Sequence, residues 1–133
     1  MTAQFPDVVE VLRALTRPAV LDGEIIAVRP DGGARPFQAL QARLNRTDAP
    51  PALRAATPVA FVAYDCLFDG ETLLALPWHE RRARLEALGV RANPFATFDV
   101  SRDVQEQIDL AFTQARAHGN EGLVLKQTDA PYD

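Results

Sequence analysis

The sequence VAFVAYDCLF, at residues 59–68, is nearly all apolar or aromatic. This composition predicts a β-strand that is covered on both faces. Regular alternation places Tyr64 on one face of the strand and Asp65 on the other. The dipeptide Asp69-Gly70 follows directly, and Asp-Gly between two strand-like segments is typical of a β-hairpin. We therefore expect residues 71–74 to return antiparallel to this strand.

A second strand is predicted at residues 19–28, where β-branched residues cluster. Alternation places Asp22 and Glu24 on one face, among apolar neighbours. A carboxylate in such surroundings is costly unless it is paired or bound to a metal. Glu24 is therefore more informative than a glutamate on an ordinary surface.

A third strand is predicted at residues 121–127, where Glu121 opens a short apolar run and Lys126, the single lysine, closes it. The spacing of apolar side chains predicts helices at residues 5–15, 37–46, 77–88 and 101–118, and a short strand at residues 95–100. In the third helix, Arg81 and Arg82 are expected to be largely solvated. Residues 47–58 are predicted to form a loop. Hairpins mixed with helices indicate an α+β fold with mostly antiparallel sheets flanked by helices.

The chain has 133 residues and a formal net charge of -4. Its length and composition indicate a globular domain or part of one. The negative charge argues against a general polyanion-binding surface but leaves room for a local basic patch. Cys66 is the one cysteine and lies inside an apolar run, which favours a small buried side chain in a reduced, cytoplasmic compartment. The N-terminal residues lack the pattern of a signal peptide.

Four residues are candidates for chemistry: Glu24, Tyr64, Glu121 and Lys126. Each also has a purely structural interpretation. The two glutamates would form ion pairs at strand edges, Tyr64 would be a core aromatic, and Lys126 would be a solvated strand end. The sequence offers no nucleophile elbow, no metal-ligand spacing and no glycine-rich phosphate loop.

Three stretches resemble, in order, motifs of the nucleotidyltransferase domain of bacterial ATP-dependent DNA ligases. Leu21-Asp22-Gly23-Glu24 is similar to the third motif of that family. Phe61-Val62-Ala63-Tyr64-Asp65, with Asp69-Gly70 behind it, resembles motif IIIa, and the stretch from Glu121 to Lys126 resembles the fourth motif. RNA ligases and capping enzymes share the third and fourth motifs. Connecting segments that also resemble bacterial DNA ligases lie at residues 36–44, 76–82 and 129–132.

The resemblance implies a partial ligase and capping-enzyme nucleotidyltransferase domain, with an ATP-grasp-like fold, that uses ATP and Mg²⁺ or Mn²⁺. Glu24 would act at the ribose side of the nucleotide or on the metal, and Tyr64 would stack on the adenine. Glu121 would help to hold the metal, and Lys126 would approach the phosphates. On a regular strand Glu121 and Lys126 face opposite sides, so both reach one ligand only through a bulge or twist.

The resemblance implies no catalytic residue within this sequence. In the family, the nucleophile is the lysine of an upstream Lys-x-Asp-Gly motif, a fifth motif lies downstream, and Lys126 already belongs to the fourth. We therefore expect residues 1–133 to be a partial adenylation domain that alone forms no enzyme–AMP intermediate and seals no nicks. The expected partners are nicked double-stranded DNA through the full-length enzyme, the remainder of the ligase domain, and a second copy of the chain through open strand edges. The alternatives are a non-catalytic domain that binds a nucleotide or a partner protein, and a structural domain with coincidental motifs.

Overall fold

Two antiparallel strands form the centre of the computed structural model, which describes residues 2–133. Strand β1 spans Val20–Ala27 and pairs with strand β2, which spans Val59–Phe68. Both strands lie where the sequence predicts them, and the α+β fold class is confirmed. The helices are α1 (Pro6–Arg13), α2 (Gln41–Leu44), α3 (Pro51–Ala56), α4 (Trp78–Ala87) and α5 (Val104–Ala117), with short 3-10 turns at Thr2–Gln4 and Phe37–Leu40.

A β-bulge at Tyr64 shapes the pairing of the two strands. Gly23 is paired with Ala63, whereas the preceding residue of β1, Asp22, is paired with Asp65. Tyr64 is left as the extra residue, so Tyr64 and Asp65 together lie opposite Asp22. Regular alternation, on which the prediction of opposite faces for Tyr64 and Asp65 depends, is interrupted at this point.

The apolar core has two parts, one at each end of the strand pair. One cluster contains Phe5, Val8, Ala27 and Leu40, and it packs α1 and the turn before α2 against the strands. The second contains Ala63, Cys66, Leu73 and Leu85, and it packs α4 against β2. Cys66 is buried and free, as the sequence predicts.

Buried arginines hold the helices in place. Arg43 of α2 is fully buried and donates hydrogen bonds to the Asp7 carboxylate and to the backbone carbonyls of Gln4 and Thr57. Arg81 and Arg82 of α4 are buried as well, so the prediction that they are solvated is wrong. The guanidinium of Arg81 donates to the Asp65 carboxylate, and that of Arg82 donates to the side chain of Asn93. The residues of each pair are more than ten positions apart in the sequence, so local patterns do not reveal the pairing.

Helix boundaries differ from the predictions in two places. Residues 47–58 contain α3, which begins at Pro51, a residue well suited to a first helical turn. The predicted helix at residues 101–118 begins later, at Val104, and Asp103 caps it, because its carboxylate accepts hydrogen bonds from the backbone N–H groups of Gln105 and Glu106. The helix ends before Gly119, whose φ of 86° requires a glycine. None of the residues of α5 is fully buried, and its Phe112 is 46% exposed.

Three predicted strands are not strands in the structure. Residues 71–74 contribute a single bridge, between Phe68 and Thr72, and residues 95–100 and 121–127 have no regular secondary structure. A strand needs a partner for its backbone N–H and C=O groups. Within the described part of the chain, β1 occupies one edge of β2, and residues 91–93 bind the other edge near Ala63. Among residues 2–133, no helix is long and apolar enough to cross a membrane.

Candidate functional site

Tyr64 lies at the bulge of β2, with a partly buried side chain. Burial raises the pKa of this phenol above its usual value of 10.0, and the carboxylates of Glu24, Asp22 and Glu121 raise it further. Tyr64 therefore carries a neutral hydroxyl at physiological pH. The structure brings three of the four predicted residues together, with an aromatic ring among carboxylates from β1 and from the segment after α5.

The three carboxylates supply the oxygen ligands that Mg²⁺ and Mn²⁺ prefer. Glu24 and Glu121 are exposed and accessible to a cation. Within residues 2–133, no group of three or more His, Cys, Asp or Glu side chains is arranged to hold a metal ion. Mg²⁺ is commonly held by one or two carboxylates together with water and substrate phosphates. The donor set fits a cation that arrives with a nucleotide, rather than a cage built from the protein alone.

Asp65 is buried in the interior, with 1% of its surface exposed. Arg81 binds it through two parallel hydrogen bonds, from Nε to Oδ1 at 2.8 Å and from Nη2 to Oδ2 at 2.9 Å. The backbone N–H of Cys66 donates to Oδ1 at 2.9 Å. Although burial alone raises the pKa of Asp65, the hydrogen bonds and charge of Arg81 hold it below its usual value.

The rule that a carboxylate buried on a mostly apolar strand must be paired applies in this structure to Asp65 rather than to Glu24. Asp65 is enclosed and paired, whereas Glu24 is exposed to solvent. The same signal could have identified Asp65, because it stands in the most apolar stretch of the sequence. Its partner Arg81 is 16 residues away and carries no comparable signal in the sequence.

Lys126 contacts the same carboxylate as Arg81, that of Asp65. Its Nζ lies 3.4 Å from Oδ2 of Asp65, and its side chain is 34% exposed. Because residues 121–127 do not form a strand, the expected conflict between the facing directions of Glu121 and Lys126 does not arise. The charge of Glu121 raises the pKa of Tyr64, and Lys126 contacts Asp65, the next residue of β2. Lys126, the fourth predicted residue, therefore lies near the other three.

The C-terminal residues close one side of the cluster. Arg81 donates from Nη1 to the carbonyl of Ala130 at 3.1 Å, and its guanidinium carbon lies 5.7 Å from the centroid of the Tyr132 ring. The Tyr132 hydroxyl donates to Oδ2 of Asp22 at 3.2 Å, and its backbone N–H donates to the carbonyl of Leu74 at 2.9 Å. These contacts join residues more than 40 positions apart, and sequence patterns did not indicate them.

Solved structures with the same fold define the class of this domain. The ligase domain of LigD from M. tuberculosis superimposes with a TM-score of 0.69 at 28% identity, covering 99% of this chain and 40% of that one. A mycobacterial DNA ligase D complexed with ATP and MES gives a TM-score of 0.67 at 28% identity, with 99% and 38% covered. The fold is thus that of the nucleotidyltransferase domain of a DNA ligase, in part.

Sequence comparisons identify the family. The model of the ATP dependent DNA ligase domain matches residues 1–133, and the chain belongs to that family. A probable DNA ligase of Sorangium cellulosum is 38% identical over 100% of this chain, and a DNA ligase of Natronomonas pharaonis is 40% identical over 99%. The chain spans about a quarter of the length of these curated relatives, 25% and 24% respectively.

Proposed function

We propose that residues 1–133 form one wall of the ATP site of a DNA ligase adenylation domain. With the rest of such an enzyme, this site would transfer an adenylyl group from ATP and serve the sealing of nicks in double-stranded DNA. The observation that carries the proposal is that the charges of Glu24 and Glu121 act on Tyr64, while Lys126 contacts Asp65, the next residue of β2. Membership of the ATP dependent DNA ligase domain family and a solved relative complexed with ATP support it.

Tyr64 would stack on the adenine. Its ring is partly buried and its backbone is held by β2, so little conformational entropy is lost on stacking. Glu24, on the neighbouring strand, would accept hydrogen bonds from the ribose hydroxyls or bind the metal. The neutral phenol also avoids placing a further negative charge beside a nucleotide that is itself anionic.

Glu24 and Glu121 would hold Mg²⁺ or Mn²⁺ when the nucleotide binds. A bound divalent cation would neutralise charge on the phosphates during adenylyl transfer. Lys126, at the other end of the cluster, would contact the phosphates through its ammonium. One short segment, residues 121–126, thus provides both an acidic residue for the cation, Glu121, and a lysine for the anion.

The proposal also covers the partners of the chain and its location. The partners are nicked DNA and the remainder of a ligase domain, which would cover the exposed apolar side chains of residues 123–125; Val124 is 82% exposed. The same side chains and the free edge of β1 favour self-association of the isolated chain. The free, buried thiol of Cys66 suits a cytoplasmic location.

Calorimetric titration of the purified chain with ATP and Mg²⁺ tests the proposed role of Tyr64. We expect Tyr64→Ala to weaken binding by about 1–3 kcal/mol, the range measured for stacking of a base on an aromatic ring, and Tyr64→Phe to keep most of the affinity. Glu71→Gln is a matched control, because it removes an exposed carboxylate that pairs with Arg84 outside the cluster. Equal affinities for the wild type and Tyr64→Ala would contradict the proposal.

A further inference from the structure

We propose that Asp65 is a positioning residue that holds the Lys126 ammonium beside Tyr64 and gives it up to the phosphates of a bound nucleotide. The holding role depends only on contacts within the chain. The release to phosphate depends on the proposed function as well. The two parts are therefore tested by separate measurements.

Asp65 is a rigid anchor. It is buried, and three donors fix both of its oxygens: two from Arg81 and the backbone N–H of Cys66. Arg81 is itself buried and is fixed by hydrogen bonds to the carbonyls of Leu76 and Ala130. A carboxylate held in this way has one orientation, so an ammonium that binds it is directed to a defined place.

Lys126 is the weakest of the partners of Asp65. Its contact of 3.4 Å is longer than either hydrogen bond from Arg81, and its side chain is partly exposed. Because Arg81 already neutralises Asp65, Lys126 can leave without stranding a buried, unpaired charge. Asp65 can therefore hold the ammonium while the site is empty and release it when a stronger anion arrives.

The bulge connects this pair to the proposed adenine site. Tyr64 and Asp65 are consecutive residues that both lie opposite Asp22. The ammonium is consequently held by the residue that directly follows Tyr64 in β2. Two residues after Lys126, the carbonyl of Thr128 accepts a hydrogen bond from the backbone N–H of His79 at 3.1 Å, which ties this part of the chain to α4.

Acetylation of Lys126 by an amine-selective reagent measures how firmly the ammonium is held. Lys126 is the single lysine of the chain, so mass spectrometry of one peptide reports its labelling rate. An amine that is held against a carboxylate reacts more slowly, because it is less accessible to the reagent. We expect Asp65→Asn to speed labelling about two- to fivefold, in the range of a partly exposed ion pair, and Glu71→Gln to leave the rate unchanged.

The salt dependence of labelling in the wild type is a second test, and it remains valid if the Asp65→Asn variant does not fold. We expect high salt to speed the labelling of Lys126 relative to a small lysine peptide in the same solution, since salt screens a partly exposed ion pair. A loosened structure in a variant would not produce this effect in the wild type. A wild-type rate that does not change with salt, or a folded Asp65→Asn variant that labels at the wild-type rate, would overturn the holding role.

ATP and Mg²⁺ test the release. We expect them to slow the labelling of Lys126 further in the wild type, and to slow it also in Asp65→Asn, where phosphate is the remaining anion in reach. If ATP binds in calorimetry but leaves the labelling of Lys126 unchanged, the proposed release of the ammonium to phosphate is wrong, while the holding role of Asp65 stands. If ATP does not bind at all, it is the proposed function that fails.

Discussion

Tyr64 and Tyr132 are the two tyrosines of the chain, and each lies against a carboxylate of β1. Burial is the largest cause of the raised pKa of Tyr64, followed by its interaction with Glu24. For Tyr132 the charge of Asp22 comes first and burial second. Both phenols are therefore kept neutral by the residues that form the candidate site.

Alkaline titration followed by tyrosinate absorbance tests this arrangement. Since both pKa values are raised in the folded chain, the neutral phenols contribute stability that is fully present below pH 10.0, the unfolded value, and is lost as the pH rises through the folded values. We expect Glu24→Gln to move one transition towards lower pH and Glu71→Gln to move neither. Coincident titration curves for folded and urea-unfolded chains would contradict the structure.

Sequence reasoning singled out four residues that the structure brings near one another, and it missed the buried pair of Asp65 and Arg81. Glu24, Tyr64, Glu121 and Lys126 stand within recognisable motifs, and they lie in one cluster. Arg81 was expected in solvent, because an arginine on a short helix is usually exposed. Its burial depends on Asp65, and only the bulge and the packing of α4 bring the two together.

At the scale of elements, the close approach of the two strands depends on Gly23. A Cβ at this position would collide with the carbonyl oxygen of Val62 and lie 2.7 Å from the ring of Phe61. Neither the backbone of β2 nor a packed aromatic ring moves away at low cost. Glycine at this position therefore allows Asp22 and Glu24 to lie beside the bulge of β2.

We expect Gly23→Ala to destabilise the chain by about 1–3 kcal/mol, the usual cost of overpacking. Gly122→Ala is the matched control, because a Cβ there meets only Phe112, at an ordinary contact distance of 3.6 Å, and its φ needs no glycine. Urea denaturation of the two variants beside the wild type gives the free energies of unfolding. Equal stability for Gly23→Ala and Gly122→Ala would show that the strands are not packed as described.

The elements that were predicted correctly are those whose signal is local. β1 and β2 are defined by their own apolar composition, and α4 by the spacing of its side chains. Residues 121–127 contain only a short apolar run, Leu123 to Leu125, and have no adjacent strand within residues 2–133, so this run alone did not make them a strand. The short helix α3 was missed because its prolines were taken as loop residues, although Pro51 begins a helix.

At the scale of the whole molecule, the chain is a quarter of its curated relatives in length, and we propose that its cluster binds one side of a nucleotide. Its single lysine contacts Asp65 and is assigned to phosphate contact rather than to covalent chemistry. We therefore predict that these 133 residues bind ATP and do not form a lysine–AMP bond. Self-adenylation would need an amine that attacks the α-phosphate.

Native mass spectrometry of the purified chain with ATP and Mg²⁺, repeated after denaturation, tests this claim most directly. We predict an adduct of one nucleotide under native conditions that disappears on denaturation and is weakened in Tyr64→Ala. A nucleotide adduct on Lys126 that survives denaturation would contradict the assignment, because Lys126 would then act as the nucleophile. The absence of any native adduct at saturating ATP would contradict the proposed wall of the ATP site.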